Sequence, residues 1–262
     1  MTSQELLAEA VRLDQAGLEE EAELAYRKLL TADGNSDLVL CRLGSMALER
    51  RDLAAAIDYF RSSAGLREDP GTYCLLGVSL ARQGNTIQAE EAYQQALRID
   101  PDYEEALYNL GVLLRDDRPS EARLVFARAV ELDPLFACAH RELGFLLSKF
   151  HGGKQAETHL LRAIDLDAND QWAYIYLGTH LWKQLRVESA LSVFEQARDL
   201  FPEWAVPWWS LGNIQEMALK NFDLAQANFE QALILDPEDA EALRGIDRLA
   251  AKRLKRSRPR DS

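Results

Sequence analysis

A Leu-Gly pair returns along this chain at 43/44, 76/77, 110/111, 143/144, 177/178 and 211/212, so successive glycines stand 33 or 34 residues apart. A fixed period of that size restricts the fold more than composition does, because it marks one supersecondary unit that is copied and stacked. Stepping 34 residues back from Gly44 lands on Ala10, another small residue. A second row repeats in phase with the first: Ala22, Ala56, Ala89, Ala122, Ala156, Ala190 and Ala225. Four residues beyond each alanine stands a large side chain, namely Tyr26, Phe60, Tyr93, Phe126, Leu160, Phe194 and Phe229. Proline closes several units, at Pro101, Pro134, Pro202 and Pro237.

Each unit holds two amphipathic stretches of roughly 12–15 residues with apolar positions three and four apart, which predicts a pair of helices. Small residues at matching places let the paired backbones approach, and the aromatic fills the space toward the neighbouring unit. Proline after aspartate stops the second helix, since it lacks the amide hydrogen a helix interior needs. Gly17 and Gly84 fall between paired helices, where a tight turn wants permissive dihedrals. Gly245 follows Gly212 by 33 residues, but counted from Pro237 it is out of register and reads as coincidence.

This combination of small, aromatic and proline slots resembles the tetratricopeptide repeat (TPR) family and extends over nearly the whole 262 residues. The resemblance implies an all-α fold, a right-handed superhelical solenoid of about seven TPR-like helix-turn-helix repeats plus a C-terminal capping helix. The units fall at 3–36, 37–69, 70–103, 104–136, 137–170, 171–204 and 205–239, with the capping helix at 240–254 and a basic, disordered tail at 255–262. Departures from the family pattern are local. The first unit lacks Leu-Gly, the second closes at Asp69-Pro70, Ala168 stands where proline is usual, and Pro119 sits in a shortened turn.

Composition adds exclusions. Apolar residues make up 47% and charged residues 28%, too apolar for wholesale disorder. No apolar run approaches the ~18 residues of a membrane span, and the start Met1-Thr2-Ser3-Gln4-Glu5 does not read as a secretory signal. A cytoplasmic location is expected, with Cys41, Cys74 and Cys138 as free thiols. The net charge of −13 is uneven: the last twelve residues carry +5 and the other 250 carry −18. Twenty-three arginines against seven lysines read as coding bias rather than mechanism.

In the resembling family the first helix of each unit lines a concave groove. The first three units offer it small and aliphatic residues, whereas later ones offer aromatics beside cations such as Arg115, Arg141, Lys149 and Lys183. The candidate peptide-binding residues are Tyr108, Asn109, Arg141, Phe145, Trp172, Tyr176, Trp182, Trp209 and Asn213. Aromatics and arginine are the residue types that dominate protein-binding surfaces. Trp204, Trp208, Phe201 and His140 read as packing residues. Family members that clamp acidic chaperone termini need Lys and Asn around the glycine slots; Asn109 fits, but Cys74, Val78, Cys138 and Glu142 do not, which rules the clamp out.

No phosphate loop, nucleophile elbow or HExxH occurs, and His140, His151, His159 and His180 share no metal-ligand spacing. The expected function is a non-enzymatic protein–protein interaction scaffold or adaptor. Its partner is a protein or peptide segment, acidic with aromatic or aliphatic anchors, with self-association as a second route. No cofactor, metal, small-molecule substrate or nucleic-acid partner is expected for the acidic body. The alternative is a tether whose basic tail, Lys252 to Arg260, contacts nucleic acid or an anionic membrane surface.

Overall fold

The computed structural model describes residues 2–33, 36–150 and 152–257, and all regular structure among them is helical. Fifteen helices divide between two compact units, Met1–Asp133 and Pro134–Ser262. The first unit holds α1 (Ser3–Gln15), α2 (Glu19–Asp33), α3 (Asp37–Glu49), α4 (Leu53–Leu66), α5 (Pro70–Gln83), α6 (Thr86–Ile99), α7 (Glu104–Leu114) and α8 (Pro119–Leu132). The second holds α9 (Ala137–Lys149), α10 (Gly153–Leu166), α11 (Gln171–Lys183), α12 (Val187–Leu200), α13 (Ala205–Met217), α14 (Phe222–Leu235) and α15 (Ala240–Ser257). Within each unit every odd helix lies along the even helix after it, which then meets the next odd one. Successive odd helices also touch, as α5 does α7 and α9 does α11. The periodicity is thus realised as four stacked helical hairpins in the first unit, and as three followed by one more helix in the second.

Local chemistry sets the boundaries. Thr2 opens α1 with a reciprocal capping box to Glu5, and Asp52, Asp69 and Asp170 accept a hydrogen bond from the third residue of α4, α5 and α11. The second helices end at Ile99, Leu132, Leu166, Leu200 and Leu235, and the prolines lie two residues further on where they occur. Ala168 in place of proline changes nothing in this pattern. The more general stop is an aspartate just past the helix. Asp100, Asp167 and Asp236 each accept from the amide two residues on, at 3.0, 2.9 and 3.1 Å.

The Leu-Gly slot has a sharper cause than close backbone approach. A β-carbon on Gly44, Gly77, Gly111, Gly178 or Gly212 would stand 2.5–2.7 Å from the ring of Phe60, Tyr93, Phe126, Phe194 or Phe229 in the following helix. The glycine makes room for the aromatic of its own hairpin, and this is why the two rows keep phase. Gly245 is not a coincidence either: its β-carbon would meet Phe229 at 2.5 Å. Phe229, with no exposed surface, lies between two glycines, one from α13 and one from α15.

The turn inside five of the hairpins uses a left-handed residue. Gly17 and Gly84 supply it at φ 73° and 89°, but Arg51, Leu185 and Lys220 also hold it, at 62°, 59° and 56°. For residues with a β-carbon this conformation is costly.

Candidate functional site

The aromatic residues expected in a groove assemble on α9 and α11 of the second unit. Phe145 stacks on Tyr176 with ring centroids 4.4 Å apart and planes 26° off parallel. Lys149 Nζ lies 4.6 Å from the centre of the Phe145 ring. Trp172, one turn before Tyr176 on α11, is 5.8 Å from it and meets Trp204 edge to face at 5.2 Å. Trp204 in turn contacts Phe201, and both pack against the α11–α12 core. Their reading as packing residues stands, but Trp204 also braces Trp172. Phe145 and Tyr176 are half-buried while Trp172 is 47% exposed, so the row ends in a rigidly backed, solvent-facing indole.

The other candidates are placed differently. Trp182 lies half-buried against the α11–α12 core, and Trp209 against the cluster around Phe229. In the first unit, Tyr108 tilts over Phe126 at 5.9 Å, and Asn109 donates to Cys74 Sγ at 3.6 Å. Burial pushes the Cys74 thiol up to about 11, so this sulfur stays protonated at neutral pH. Cys41, Cys74 and Cys138 are all free thiols.

Arg141 is not the open cation its register suggests. It donates to Asp170 Oδ2 at 2.8 Å and to Glu142 Oε1 at 2.9 Å, and both carboxylates are almost fully buried. Asp170 Oδ1 also caps the start of α11 through Ala173 N at 3.2 Å. Arg141 therefore fastens α9 to α11, its charge neutralised from within.

Asn213 is corrected more strongly. It is buried and accepts from Arg248 Nη2 at 2.6 Å, so α15 covers it. One turn on, Glu216 has no exposed surface and is held by Arg248 at 2.9 Å and Lys252 at 2.7 Å. Burial pushes the Glu216 carboxyl up, but hydrogen bonds and charge from Lys252 and Arg248 outweigh it and hold the group below its ordinary value. The expected basic tail is partly accounted for in the same way. Lys252 is bound to Glu216, and Arg253 pairs with Asp223 at 3.2 Å. Arg258 and Arg260 lie outside the described residues.

One pair escaped the sequence reading. His140 Nδ1 and His159 Nδ1 are 2.9 Å apart, and His140 Nε2 is 3.2 Å from the Pro134 carbonyl. With His140 Nε2–H donating to that carbonyl, its Nδ1 accepts from His159. The two residues are 19 apart on the paired helices α9 and α10, a separation no metal-ligand spacing rule flags. Among the described residues no group of three or more His, Cys, Asp or Glu could hold a metal, and no helix is long and apolar enough to cross a membrane.

Comparison with known proteins agrees with this architecture. Two family models match, one described as TPR repeat over residues 77–116 and one as Tetratricopeptide repeat over residues 205–239. A UDP-N-acetylglucosamine–peptide N-acetylglucosaminyltransferase of Giardia intestinalis is 30% identical over 100 residues, which is 38% of this chain but only 7% of that protein. Among solved structures, a tetratricopeptide repeat protein from Parabacteroides merdae superposes with a TM-score of 0.68 at 17% identity, covering 95% of this chain and 98% of that one. YrrB, a TPR protein with an unusual peptide-binding site, gives 0.58 at 24% identity over 72% of this chain and 97% of its own.

Proposed function

Since the chain is a tetratricopeptide-repeat protein, we propose that it is a non-enzymatic scaffold that captures an extended segment of a partner protein across α9 and α11. One observation carries this reading: the Phe145–Tyr176–Trp172 row, braced by Trp204, presents Trp172 47% exposed on a surface built from the first helices of adjacent hairpins. Rings held on both sides lose little entropy when a ligand covers them, which is why such anchors dominate binding energy. YrrB offers a precedent in fold for a peptide site on such a repeat array. Lys149 and Lys183, on the same helices, are the cations left for carboxylates of the ligand, so an acidic segment with an aromatic or aliphatic anchor fits best. A reducing, cytoplasmic setting suits the three free thiols.

The test is selection of a random peptide library on the whole protein, followed by titration of the enriched peptides against Trp172→Ala/Tyr176→Ala. Loss of two central anchors is expected to weaken binding by about 30-fold or more, with helicity unchanged. Peptides that bind the double variant as tightly as the parent would remove the aromatic row from the function.

A further inference from the structure

The three hairpin turns of the second unit share an edge with the last turns of α15. Arg186 in the α11–α12 turn reaches Glu157 at 2.7 Å, and His180 near the end of α11 lies 2.9 Å from Ser148 near the end of α9. Leu181, Val187 and Ile214 join one packed cluster, which links that turn to the end of α13. Lys252 lies over the Phe222 ring at 5.4 Å and Arg253 reaches Asp223, which brings α15 to the start of α14.

The lysines of the chain gather here. Of seven, Lys149, Lys154, Lys183 and Lys220 stand in or beside these turns, and Lys252 and Lys255 fall on the last turns of α15; Lys28 is the exception. Among the described residues none of the four turn lysines forms an ion pair, whereas Glu157, Glu216 and Asp223 nearby are each matched by a cation. The four corresponding turns of the first unit hold no lysine, and two of them mix arginine with acid, Arg51-Asp52 and Arg115-Asp116-Asp117-Arg118. The second unit's turns also expose apolar side chains a hairpin apart: Phe150 (44%), Leu185 (83%) and Leu219 (45%). Leu185 is the strongest case. At φ 59° its position favours glycine, and at 83% exposure its side chain gains nothing from packing.

We propose that this edge docks the protein on anionic lipid bilayers, the lysines meeting headgroup phosphates while Phe150, Leu185 and Leu219 enter the interface between them. A phosphate surface explains lysine, whose ammonium sits at the headgroups while its stem lies along apolar matter. Apolar side chains set apart by cations form no pocket for a protein anchor, and a nucleic-acid backbone has no use for an aliphatic turn. A bilayer interface takes both. The body outside the last twelve residues carries −18, so attraction must be local, acting within about 8 Å at physiological salt.

The experiment is vesicle flotation of the full chain with phosphatidylcholine vesicles, with and without about 30% phosphatidylserine, beside a duplex-DNA binding measurement. Binding is expected only with phosphatidylserine. Lys149→Gln/Lys154→Gln/Lys183→Gln/Lys220→Gln should lower it by about fivefold per lysine. Leu185→Gly should lower it about fivefold while leaving thermal stability equal or higher, because glycine suits the backbone; this variant carries the test if the quadruple one misfolds. The proposal is overturned by absence of binding to phosphatidylserine vesicles or by equal binding to phosphatidylcholine alone. It is equally overturned if only deletion of 255–262 matters, or if DNA binds as well and Leu185→Gly is neutral.

Discussion

Replacing Gly245 by alanine tests the packing logic where it is most exposed to error. Alanine is the better helix former by about 1 kcal/mol, so a spectator glycine in α15 would yield a more stable protein. Geometry opposes this. The added carbon would stand 2.5 Å from both Cε1 and Cζ of Phe229 and 2.7 Å from Cδ1, about 1 Å inside normal carbon–carbon contact. The ring has no free side to move to, since a β-carbon at Gly212, across it, would already be 2.7 Å away. Helix α15 must therefore shift, and overpacking of this kind costs about 2–3 kcal/mol, leaving a net loss of about 1–2 kcal/mol. Gly65 in α4 is the control, because nothing lies within 4 Å of its β-carbon position; alanine there should stabilise by up to about 1 kcal/mol. In thermal unfolding followed by circular dichroism, Gly245→Ala should melt about 3–6 °C lower and Gly65→Ala about 2–4 °C higher. Hydrogen exchange should place the loss in α15. An equal rise in both variants would refute the idea that Phe229 needs two glycines.

Two pH effects follow from the buried groups. Glu216, held below its ordinary value of 4.5, contributes stability that is fully present above 4.5 and lost as pH falls through its lower folded value; Glu216→Gln should cost about 2–3 kcal/mol at neutral pH and flatten the acid loss of α15 protection in hydrogen exchange. His159 is depressed by burial and then by the charge of His140, so its share of stability is present above the ordinary 6.5 and lost as pH falls below it. His159→Gln should remove part of that slope in denaturant titrations at stepped pH, the remainder resting on His180, which burial depresses as well.

The repeat was legible because its slots are chemically narrow and evenly spaced. Only glycine admits the Phe60 or Phe194 ring, so Leu-Gly and the aromatic row had to recur together. Part of the candidate site's geometry was legible for a related reason: positions on the first helices bring Phe145 and Tyr176 together once the hairpins are in phase. What was hidden depends on long side chains reaching across hairpins. Nothing near Asn213 announces that Arg248, 35 residues on, will take its oxygen. Nothing near Arg141 announces that Asp170, 29 residues on, will neutralise it. Gly245 was misjudged because the register counts from one unit's own landmarks, whereas the ring it meets belongs to the unit before.

The same reach changes the meaning of the arginine excess. It is more than coding bias, because arginine recurs at the junctions between successive hairpins. Arg42 binds Asp14, Arg50 binds Glu23, Arg118 binds Glu90 and Arg128 binds Asp102 in the first unit. Arg141 to Asp170 and Arg186 to Glu157 repeat the device in the second. A guanidinium fork grips a carboxylate in fixed geometry and is weakly hydrated, so it suits a contact that must hold two helices at one spacing. Exposed pairs of this kind contribute only about 0–1 kcal/mol each, and their value lies in matching neighbours along a stack whose hairpins are otherwise alike. Lysine, strongly hydrated and flexible, makes a poorer staple and is correspondingly scarce inside the stack. Lys149, Lys154, Lys183 and Lys220 form no ion pair among the described residues, and they are the lysines that stand on the aromatic face and the turn edge proposed above as binding surfaces.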